Sequence, residues 1–380
     1  MTNAYLTRPG NTKRRSKTVR MLGTHGIPGN YGGFETAAEN IAKFLVRRGW
    51  RVIVYCQAKG TGPVVEDTWE GVERVTIPVD LPGWRGTSRF DWISIRHACQ
   101  FDDVCLTFGY NTGMYNFWQR LKGIPNIINM DGLEWQRKRW GFAKQAILYI
   151  NERFAAAYGN MLIADHPDLN IYLQTRASAK KITTITYGAD PVSETPSQDI
   201  LTELGLEQNR YLTLIARPIP ENSILEIVRG FSAGKRGVKL VILGKYDGAS
   251  DPYHQAVLDA ASDEVEFVGP IYGERIVPIR YYSLAYVHGH TVGGTNPSLV
   301  EALATGNPVI AHNNNYNRWV AQDAAVYFND ESEISDLFAT LIENCTLREK
   351  LSENALKRFN EEFTWDHVAG QYESVLLKYL

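Results

Sequence analysis

The chain has 380 residues, enough for two domains that each bury a core of their own. Its net charge of −2 at pH 7 argues against a protein that is steered as a whole to nucleic acid. No apolar run approaches the ~18 residues of a membrane-spanning helix, and the N-terminus lacks the apolar core of a signal peptide. We therefore expect a cytoplasmic protein.

The cysteines and the basic N-terminal tail refine this picture. Four cysteines are scattered without a CxxC pair, and Cys56 and Cys105 lie in apolar runs, which predicts buried free thiols and argues against zinc. Residues 1–18 contain five basic residues and no acid. This segment is either a frayed tail or a region attracted to anionic lipid on the cytoplasmic face of a membrane.

The first ordered segment predicts a βαβ unit. A strand at Val19–Leu22 leads into the glycine-rich stretch Gly23–Glu35, then an amphipathic helix, then a strand at Arg51–Tyr55. Glycines at the first turn predict a ligand at the strand ends. The dinucleotide fingerprint GxGxxG is absent, which disfavours a dehydrogenase. Gly32 and Gly33 either approach a ligand or are turn glycines only.

Further strand patterns continue the first half. They lie at 72–78, 104–108, 126–130, 161–164 and 181–186, with helical stretches between several of them. Three are followed by polar or glycine-rich clusters, at Gly109–Gly113, Asp131–Trp135 and Asp165–Pro167. Ligands of open parallel sheets bind at these carboxyl edges, and Asp131 stands out as an acid that follows a buried strand.

A basic and aromatic segment, Trp135–Phe142, follows Asp131. It is a solvated helix face, an interdomain contact, or a contact with a lipid head group or an anionic acceptor. The proline-containing stretch 191–198 reads as a linker between the two halves.

The second half predicts an anion site. Strands at 211–216 and 238–243 end in Arg217 and in Gly244-Lys245. After a strand at 284–287 come Gly293, Gly294 and a helix that begins at Asn296-Pro297, an N-cap followed by a favoured first residue, and ends at Gly306. Two cations and the positive end of a helix suit a diphosphate.

Two further residues accompany this helix. Glu301 lies ~6 Å along its axis and is either solvent-facing or a hydrogen-bond acceptor for sugar hydroxyls. His288 reads as a buried structural histidine, whereas His290 either reaches the sugar or phosphate or has no such role.

Four segments together carry a family resemblance: Gly23–Glu35 (GTHGIPGNYGGFE), Asn129–Trp135 (NMDGLEW), Tyr187–Asp190 and His288–Glu301 (HGHTVGGTNPSLVE). They resemble the retaining GT-B glycosyltransferases of glycosyltransferase family 4, and more closely its bacterial rhamnosyltransferase-type subgroup. The resemblance implies an α/β fold of GT-B architecture, with two Rossmann-like domains facing each other across a cleft.

The resemblance also implies an organisation of the chain. After the tail at 1–18, an acceptor domain spans 19–190 and a nucleotide-sugar domain spans 191–360. The segment 361–380, which begins near the aromatic cluster Phe363–His367, is expected to be a helix that returns to the first domain.

Roles follow position by position. Catalytic roles are predicted for Asp131, Arg217, Lys245 and His290. Contacts with the nucleotide sugar are predicted for Gly32, Gly33, Arg217, Lys245, Ile271, Gly293, Gly294, Thr295, Asn296, Ser298 and Glu301. Acceptor contacts are predicted for Tyr31, Phe34, Glu35, Asn111 and Trp135.

The implied reaction moves a sugar, with dTDP-rhamnose favoured as donor, onto a saccharide or lipid-linked saccharide in surface polysaccharide synthesis. It needs no metal or other cofactor, and no Asp-x-Asp occurs in the sequence. Departures from the family pattern are Gly293 in place of the first of two glutamates, Asn222 in place of a lysine and Asp131 in place of a histidine.

Other functions fit the same sequence. The donor could be a UDP-sugar, and an epimerase or a sugar phosphorylase could share the architecture. The chain could also be a non-catalytic scaffold that binds nucleotide sugars within a polysaccharide-assembly complex.

Overall fold

A computed structural model describes residues 15–29, 32–137 and 140–380. Tyr31, most of the predicted basic tail, and Lys138 and Arg139 of the basic and aromatic segment lie outside the described residues. The described end of the tail is anchored, because Arg15 pairs with Asp102 at 3.0 Å.

The first half forms an eight-stranded sheet in the order β3-β4-β2-β1-β5-β6-β7-β8. Its strands are β1 (Thr18–Leu22), β2 (Arg51–Lys59), β3 (Val65–Trp69), β4 (Val72–Val79), β5 (Val104–Phe108), β6 (Asn126–Asn129), β7 (Met161–Ala164) and β8 (Ile182–Thr184). Its helices are α1 (Gly33–Arg47), α2 (Gly83–Ala98), α3 (Phe117–Lys122), α4 (Phe142–Tyr158) and α5 (Pro167–Leu173). All neighbouring strands are parallel except β3, which pairs antiparallel with β4.

The second half forms a six-stranded parallel sheet in the order β11-β10-β9-β12-β13-β14. Its strands are β9 (Tyr211–Ile215), β10 (Lys239–Leu243), β11 (Val265–Gly269), β12 (Ala285–His288), β13 (Val309–His312) and β14 (Ala325–Phe328). The helices around it are α6 (Asp199–Glu203), α7 (Ile224–Ser232), α8 (Pro252–Asp259), α9 (Ile276–Tyr281), α10 (Pro297–Ala304), α11 (Asn315–Ala321), α12 (Glu331–Glu343) and α13 (Cys345–Glu362).

The last helix, α14 (Trp365–Leu376), returns to the first domain. Trp365, Val368 and Tyr372 are buried in the same core cluster as residues of β1 and α1. The Tyr372 hydroxyl accepts a hydrogen bond from Asn129 Nδ2 at 2.7 Å, and Trp50 Nε1 donates to Glu373 at 2.9 Å. These contacts place α14 in the core of the first domain, although the helices before it in the chain surround the second sheet.

The predicted strands are confirmed, most with shifts of one or two residues at their ends, whereas β2 runs four residues farther than predicted. The structure adds β3, whose residues are almost all exposed and show no apolar alternation. The four cysteines are free, and Cys56 and Cys105 are buried as predicted. Within the part of the chain that the structure describes, no helix combines the length and apolarity that a membrane crossing requires.

Each sheet has a point where the strand order reverses direction. In the first sheet it lies between β1 and β5, because β2 continues on the opposite side of β1. In the second sheet it lies between β9 and β12. Ligands of open parallel sheets bind outside the carboxyl ends of the strands at such points. The two positions therefore locate the candidate site before any side chain is considered.

Candidate functional site

Arg217 and Lys245 emerge from neighbouring strands at one edge of the second sheet. Ile215 of β9 pairs with Leu243 of β10, so each cation stands two residues beyond a paired strand end. Both residues are exposed. β12, whose carboxyl end leads into the glycine-rich turn, pairs with the other side of β9. The predicted cations and the turn thus share the carboxyl edge of three adjacent strands.

Helix α10 begins where the sequence predicted. The Asn296 side chain caps it by accepting a hydrogen bond from Ser298 N at 3.0 Å, and Pro297 is its first residue. The Ser298 hydroxyl points inward and lies 2.6 Å from the hydroxyl of Tyr286, which donates to the carbonyl of Ile215. Ser298 thus anchors α10 to β9 and β12, and its hydroxyl is engaged by the protein.

Glu301 has a partner that the sequence did not reveal. Arg280 Nη2 lies 2.6 Å from Glu301 Oε2 and also donates to Ser298 Oγ at 3.0 Å. The Arg280 side chain is 5% exposed, whereas the Glu301 side chain is 39% exposed. Glu301 therefore has a cationic partner within the protein. Its exposed part can still accept hydrogen bonds from ligand hydroxyls.

No simple sequence signal identifies Arg280. It follows Ile279 near the end of α9, and nothing in the local pattern indicates that its guanidinium turns into the protein. Only the packing of α9 beside α10 brings it to Glu301. Its Nε atom is buried without a hydrogen-bond partner among the described residues.

The two domains meet at Asp165, which follows β7. Thr295 N donates to Asp165 Oδ2 at 3.2 Å, and the Thr295 hydroxyl donates to the Asp165 backbone carbonyl. The carboxylate also leaves no room for a side chain on Gly294. A carboxylate of the first domain therefore contacts the same turn that was predicted to bind phosphate.

Asp165 is an unusual acid. Burial, together with the charge of Asp131, raises the pKa of Asp165 to about 7. The two acids lie at matching positions because Asn129 of β6 pairs with Ile163 of β7. Asp131 has the left-handed backbone conformation, with φ 55°, and its N–H donates to Asn129 Oδ1 at 3.0 Å. The predicted Asp131 is thus half of an acidic pair.

Two histidines at the carboxyl end of β12 stack: His288 is its last residue and His290 follows it. The rings of His288 and His290 lie 4.3 Å apart at 10°. Burial, with the charges of Arg217 and Arg137, lowers the pKa of His290 to about 3. Burial lowers the pKa of His288 as well. His290 is therefore a neutral imidazole at pH 7, able to donate or accept a hydrogen bond beside the Arg217 charge.

The first domain presents its glycine turn to α10. A Cβ on Gly33 would lie 3.7 Å from Pro297 Cγ, so α1 and α10 begin close to each other across the domain boundary. Gly32 has φ 111°, and the Glu35 carboxylate leaves no room for a side chain there. Phe34 packs on Phe108, with ring centroids 5.7 Å apart.

Glu35 is paired with His25, a residue that the sequence analysis did not select. His25 N donates to Glu35 Oε1 at 2.9 Å, and the ring Nδ1 lies 3.4 Å from the same oxygen. Burial acts to raise the pKa of Glu35, but the hydrogen bonds from His25 lower it overall. His25 is exposed and lies three residues beyond the end of β1, and this position near a strand end is the sequence feature that could have identified it.

A small cavity of about 40 Å³ lies at the reversal point of the first sheet. Gly23, Gly109 and the predicted acceptor residue Asn111 line it together with Asp91. Burial raises the pKa of Asp91 to about 6, and Thr112 donates to its carboxylate at 2.8 Å. Asp91 was also missed, although its spacing from Ile95 and Ala98 places it on the buried face of α2.

Other residues singled out from the sequence have different surroundings in the structure. Trp135 donates its indole N–H to Glu152 at 2.8 Å, so this group is committed to α4. Ile271 is partly buried against the core beneath β10. Gly293 has φ 143°, and a Cβ there would meet open space. Asn222, which replaces a family lysine, donates to the Arg217 carbonyl at 2.8 Å and fixes that loop.

The basic and aromatic segment contributes Arg137 to the domain boundary. Arg137 lies 2.6 Å from Glu134 and 4.0 Å from Glu221 of the second domain. Arg137 of this segment therefore makes an interdomain contact, one of the alternatives that the sequence left open. Within residues 15–29, 32–137 and 140–380, no group of three or more potential ligands is arranged to hold a metal ion.

Comparisons with known proteins agree with this architecture. Residues 206–358 match the family model described as glycosyl transferases group 1. Residues 16–190 match a domain of unknown function, DUF1972. No curated protein sequence matches significantly.

Solved structures cover almost the whole chain. Sucrose-phosphate synthase from Thermosynechococcus elongatus matches with a TM-score of 0.79 at 16% identity, over 96% of this chain and 99% of that one. Anabaena Alr3699/HepE in complex with UDP and glucose matches with a TM-score of 0.73 at 16% identity, over 95% and 99%. A glycosyltransferase from Rickettsia africae matches with a TM-score of 0.70 at 13% identity, over 96% and 99%.

Two Rossmann-like sheets that meet at their carboxyl edges, with these matches, define the GT-B fold. With the family model of its second domain, the chain is a glycosyltransferase of the GT-B type.

Proposed function

We propose that this chain transfers L-rhamnose from dTDP-rhamnose, with retained anomeric configuration, to a saccharide or lipid-linked saccharide in bacterial surface polysaccharide synthesis. One observation carries the proposal. Arg217, Lys245 and the capped start of α10 lie at the carboxyl edge of adjacent strands, beside the reversal point of the second sheet. Two cations and a helix N-terminus match the charge of a nucleoside diphosphate.

The second domain supplies the donor side of the reaction. Arg217 and Lys245 would bind the diphosphate oxygens, and the N–H groups of the turn at Gly294 and Thr295 would add dipoles that need no reorganisation. The exposed part of Glu301, oriented by Arg280, would accept hydrogen bonds from nucleoside hydroxyls. Backbone groups near Ile271 would contact the base.

The proposed transfer step requires neither a metal ion nor a nucleophilic side chain. The bond from the anomeric carbon to the diphosphate oxygen breaks, and a bond from that carbon to the acceptor oxygen forms on the same face. The acceptor proton passes to the departing diphosphate. Arg217 and Lys245 stabilise the charge that develops on the leaving group, and neutral His290 donates or accepts a hydrogen bond beside it.

The first domain supplies the acceptor side. Asp131, which follows β6, would orient the acceptor hydroxyl. Asn111 lines the cavity at the reversal point of the first sheet, and Phe34 packs on Phe108 at the end of β5. Asp131→Asn should lower turnover or acceptor affinity. Unchanged values for both would remove Asp131 from the mechanism.

Donor stabilisation tests the proposal. A panel of dTDP-, UDP- and GDP-sugars should include one that raises the melting temperature, since a ligand at a hundred times its dissociation constant adds ~2.7 kcal/mol. We expect dTDP-rhamnose to act most strongly, and nucleoside diphosphate should accumulate rapidly only when acceptor is present. Stabilisation by none of the donors would overturn the proposal.

Two alternatives remain testable in the same assays. A UDP-sugar donor is favoured by one observation, since a matched structure is HepE in complex with UDP-glucose. A non-catalytic scaffold is favoured by Gly293, which offers no side chain to touch the donor sugar. The scaffold would bind a nucleoside diphosphate but consume no donor with any lipid-linked acceptor.

A further inference from the structure

Three helices of the first domain, α2, α3 and α4, form one outer face that is rich in exposed apolar side chains. We call it the α2–α4 face, and it includes the short 3₁₀ turn Gly113–Asn116 that precedes α3. Its exposed large apolar residues are Trp84, Met114, Phe117, Leu121, Phe142, Ile147 and Ile150. Three of them are well exposed, at 68% for Trp84, 62% for Leu121 and 87% for Phe142.

A chain of ring contacts makes this face continuous. Trp92 of α2 contacts Trp118 of α3 at 5.9 Å between ring centroids. Phe117, next to Trp118, contacts Tyr158 of α4 at 5.7 Å. Tyr158 stacks on Phe154 of the same helix at 5.6 Å. These ring contacts connect α2 and α4 to the segment Phe117–Trp118 of α3.

The charges on this face are of one sign. Its exposed charged residues are Arg85, Arg89, Arg96, Arg120, Lys122 and Arg153. The acids of α2 and α4 are buried: Asp91 bonds to Thr112, and Glu152 bonds to Arg176 and Trp135. All residues of the three helices are described, and none of their acidic side chains is exposed. This contrasts with the chain as a whole, whose net charge is −2.

We propose that the α2–α4 face docks on an anionic lipid bilayer. Exposed tryptophan and aliphatic side chains suit the boundary between head groups and acyl chains, and the surrounding arginines and lysines suit lipid phosphates. Arg96 already lies over the Trp118 ring at 5.0 Å, an arrangement that keeps a cation beside an aromatic at an interface. The face is distinct from the segment Trp135–Phe142, for which lipid contact was one of the alternatives from sequence, and shares only Phe142 with it.

Charge selects the bilayer over a second copy of the chain. A twofold dimer through this face would place its basic residues against their own copies, which is unfavourable when there are no exposed acids on the three helices to pair with them. An anionic bilayer neutralises the same residues and also accepts the apolar side chains.

The docked face adjoins the acceptor side of the site. α2 follows β4, and α4 follows β6 after the Asp131 loop, so both helices begin at the carboxyl edge of the first sheet. Trp84 and Phe142 are the second and first residues of these helices. A lipid-linked acceptor would therefore reach Asp131 from the membrane surface; this last step rests on the proposed function, whereas the docking itself does not.

Vesicle flotation tests the proposal without any turnover. The full chain should float with vesicles of phosphatidylcholine plus phosphatidylglycerol, should bind phosphatidylcholine vesicles weakly, and should be released by salt. Lys122→Glu should weaken binding at least about fivefold. Ile147→Gln/Ile150→Gln should weaken it at least about tenfold.

Matched controls lie elsewhere on the molecule. Lys235→Glu changes an exposed lysine of the second domain, and Leu356→Gln/Leu377→Gln changes exposed apolar residues of α13 and of the turn after α14. Controls should float like the unchanged chain. Failure of the unchanged chain to float would overturn the proposal, as would equal losses in test and control variants.

Two further readouts complete the test. Sedimentation velocity without lipid should show that the unchanged chain does not self-associate through this face. Self-association of the unchanged chain that Ile147→Gln/Ile150→Gln abolishes would assign the face to a second copy instead. Donor consumption with a water-soluble acceptor should be the same in this variant and in the unchanged chain. A chain that floats but consumes no donor would contradict the transferase proposal alone.

Discussion

Asp165 joins the two domains, and its burial together with the charge of Asp131 favours the uncharged form although the Thr295 N–H favours the ionised one. Its carboxylate is buried against Gly294 and Thr295, and one of its oxygens has no hydrogen-bond partner among the described residues. An ionised carboxylate at this point also faces the charge of Asp131. The Thr295 N–H that donates to Asp165 is also one of those proposed to bind the donor diphosphate. Bound diphosphate and ionised Asp165 would therefore compete for this N–H.

The raised pKa of Asp165 gives stability a defined pH dependence. The pKa is about 7 in the folded chain against an ordinary 3.8, so the folded chain holds the proton more tightly than the unfolded chain does. Stability from this group is therefore lost as pH rises from about 4 to about 7. Asp165→Asn should remove the loss and stabilise the protein at pH 8 by up to about 4 kcal/mol.

Thermal unfolding of both chains between pH 4 and pH 8 measures this effect. The advantage of the variant should shrink as pH falls. Asp168→Asn, which changes an acid in the first turn of α5, serves as the control. A pH-independent difference between Asp165→Asn and the unchanged chain would contradict the account of Asp165.

Arg217 is the residue on which the transfer step depends most. Arg217→Ala should lower turnover at least roughly a hundredfold, because a preorganised donor to the developing charge is worth roughly 3 kcal/mol. The fold should survive, since Arg217 is exposed. Steady-state turnover and the melting temperature are the measurements. Arg229→Ala, which changes an exposed arginine of α7 that pairs with Glu331, is the matched control. Near-normal turnover of Arg217→Ala would remove its catalytic role.

Helix α10 shows how one element combines local and distant determinants. Its limits follow from neighbouring residues alone: the Asn296 cap, Pro297 at the first position and the end before Gly306. Its orientation depends on Ser298 and Arg280, which connect it to β12 and α9. The sequence predicted the limits of α10 but could not predict the contacts that set its orientation.

The cap of α10 can be tested directly. Asn296→Ala should lower the free energy of unfolding by ~1 kcal/mol, because one N–H at the helix start loses its partner. It should also weaken nucleoside diphosphate binding, since the same helix end is proposed to bind phosphate. Asn296→Ser, which can still cap, should retain most of both properties. Equal losses in the alanine and serine variants would show that capping is not the cause.

Other elements also differ in whether the local sequence alone predicts them. Buried parallel strands such as β5 and β10 are continuous apolar runs and were predicted from sequence. β3 was not, because this exposed edge strand forms only by pairing antiparallel with β4. Among the site residues, Arg217 and Lys245 follow predicted strands and were therefore identified from the sequence. Arg280 and the contact of Asp165 with Thr295 depend on packing between distant segments.

The chain crosses between the two domains more than once, and the second crossing joins them through α14. α14 ends the chain yet completes the core of the first domain with Trp365, which packs closely on Gly188. Trp365→Ala should cost ~3–5 kcal/mol of stability because it leaves a cavity among α1, α14 and Tyr187. Chemical denaturation measures the loss, and Leu377→Ala, at an exposed position, should change stability little. A small loss for Trp365→Ala would show that α14 is not integral to the first domain.

The arrangement of the two sheets gives the account its central claim, that the second sheet binds a nucleoside diphosphate at the end of β9. Titration calorimetry of dTDP and UDP against the unchanged chain and against Arg217→Ala/Lys245→Ala tests it most directly. We predict that at least one nucleotide binds the unchanged chain, and that the double variant binds it at least about a hundredfold more weakly, as expected for two lost charge-assisted contacts. Equal affinity of the two chains, or binding of neither nucleotide to the unchanged chain, would contradict the account.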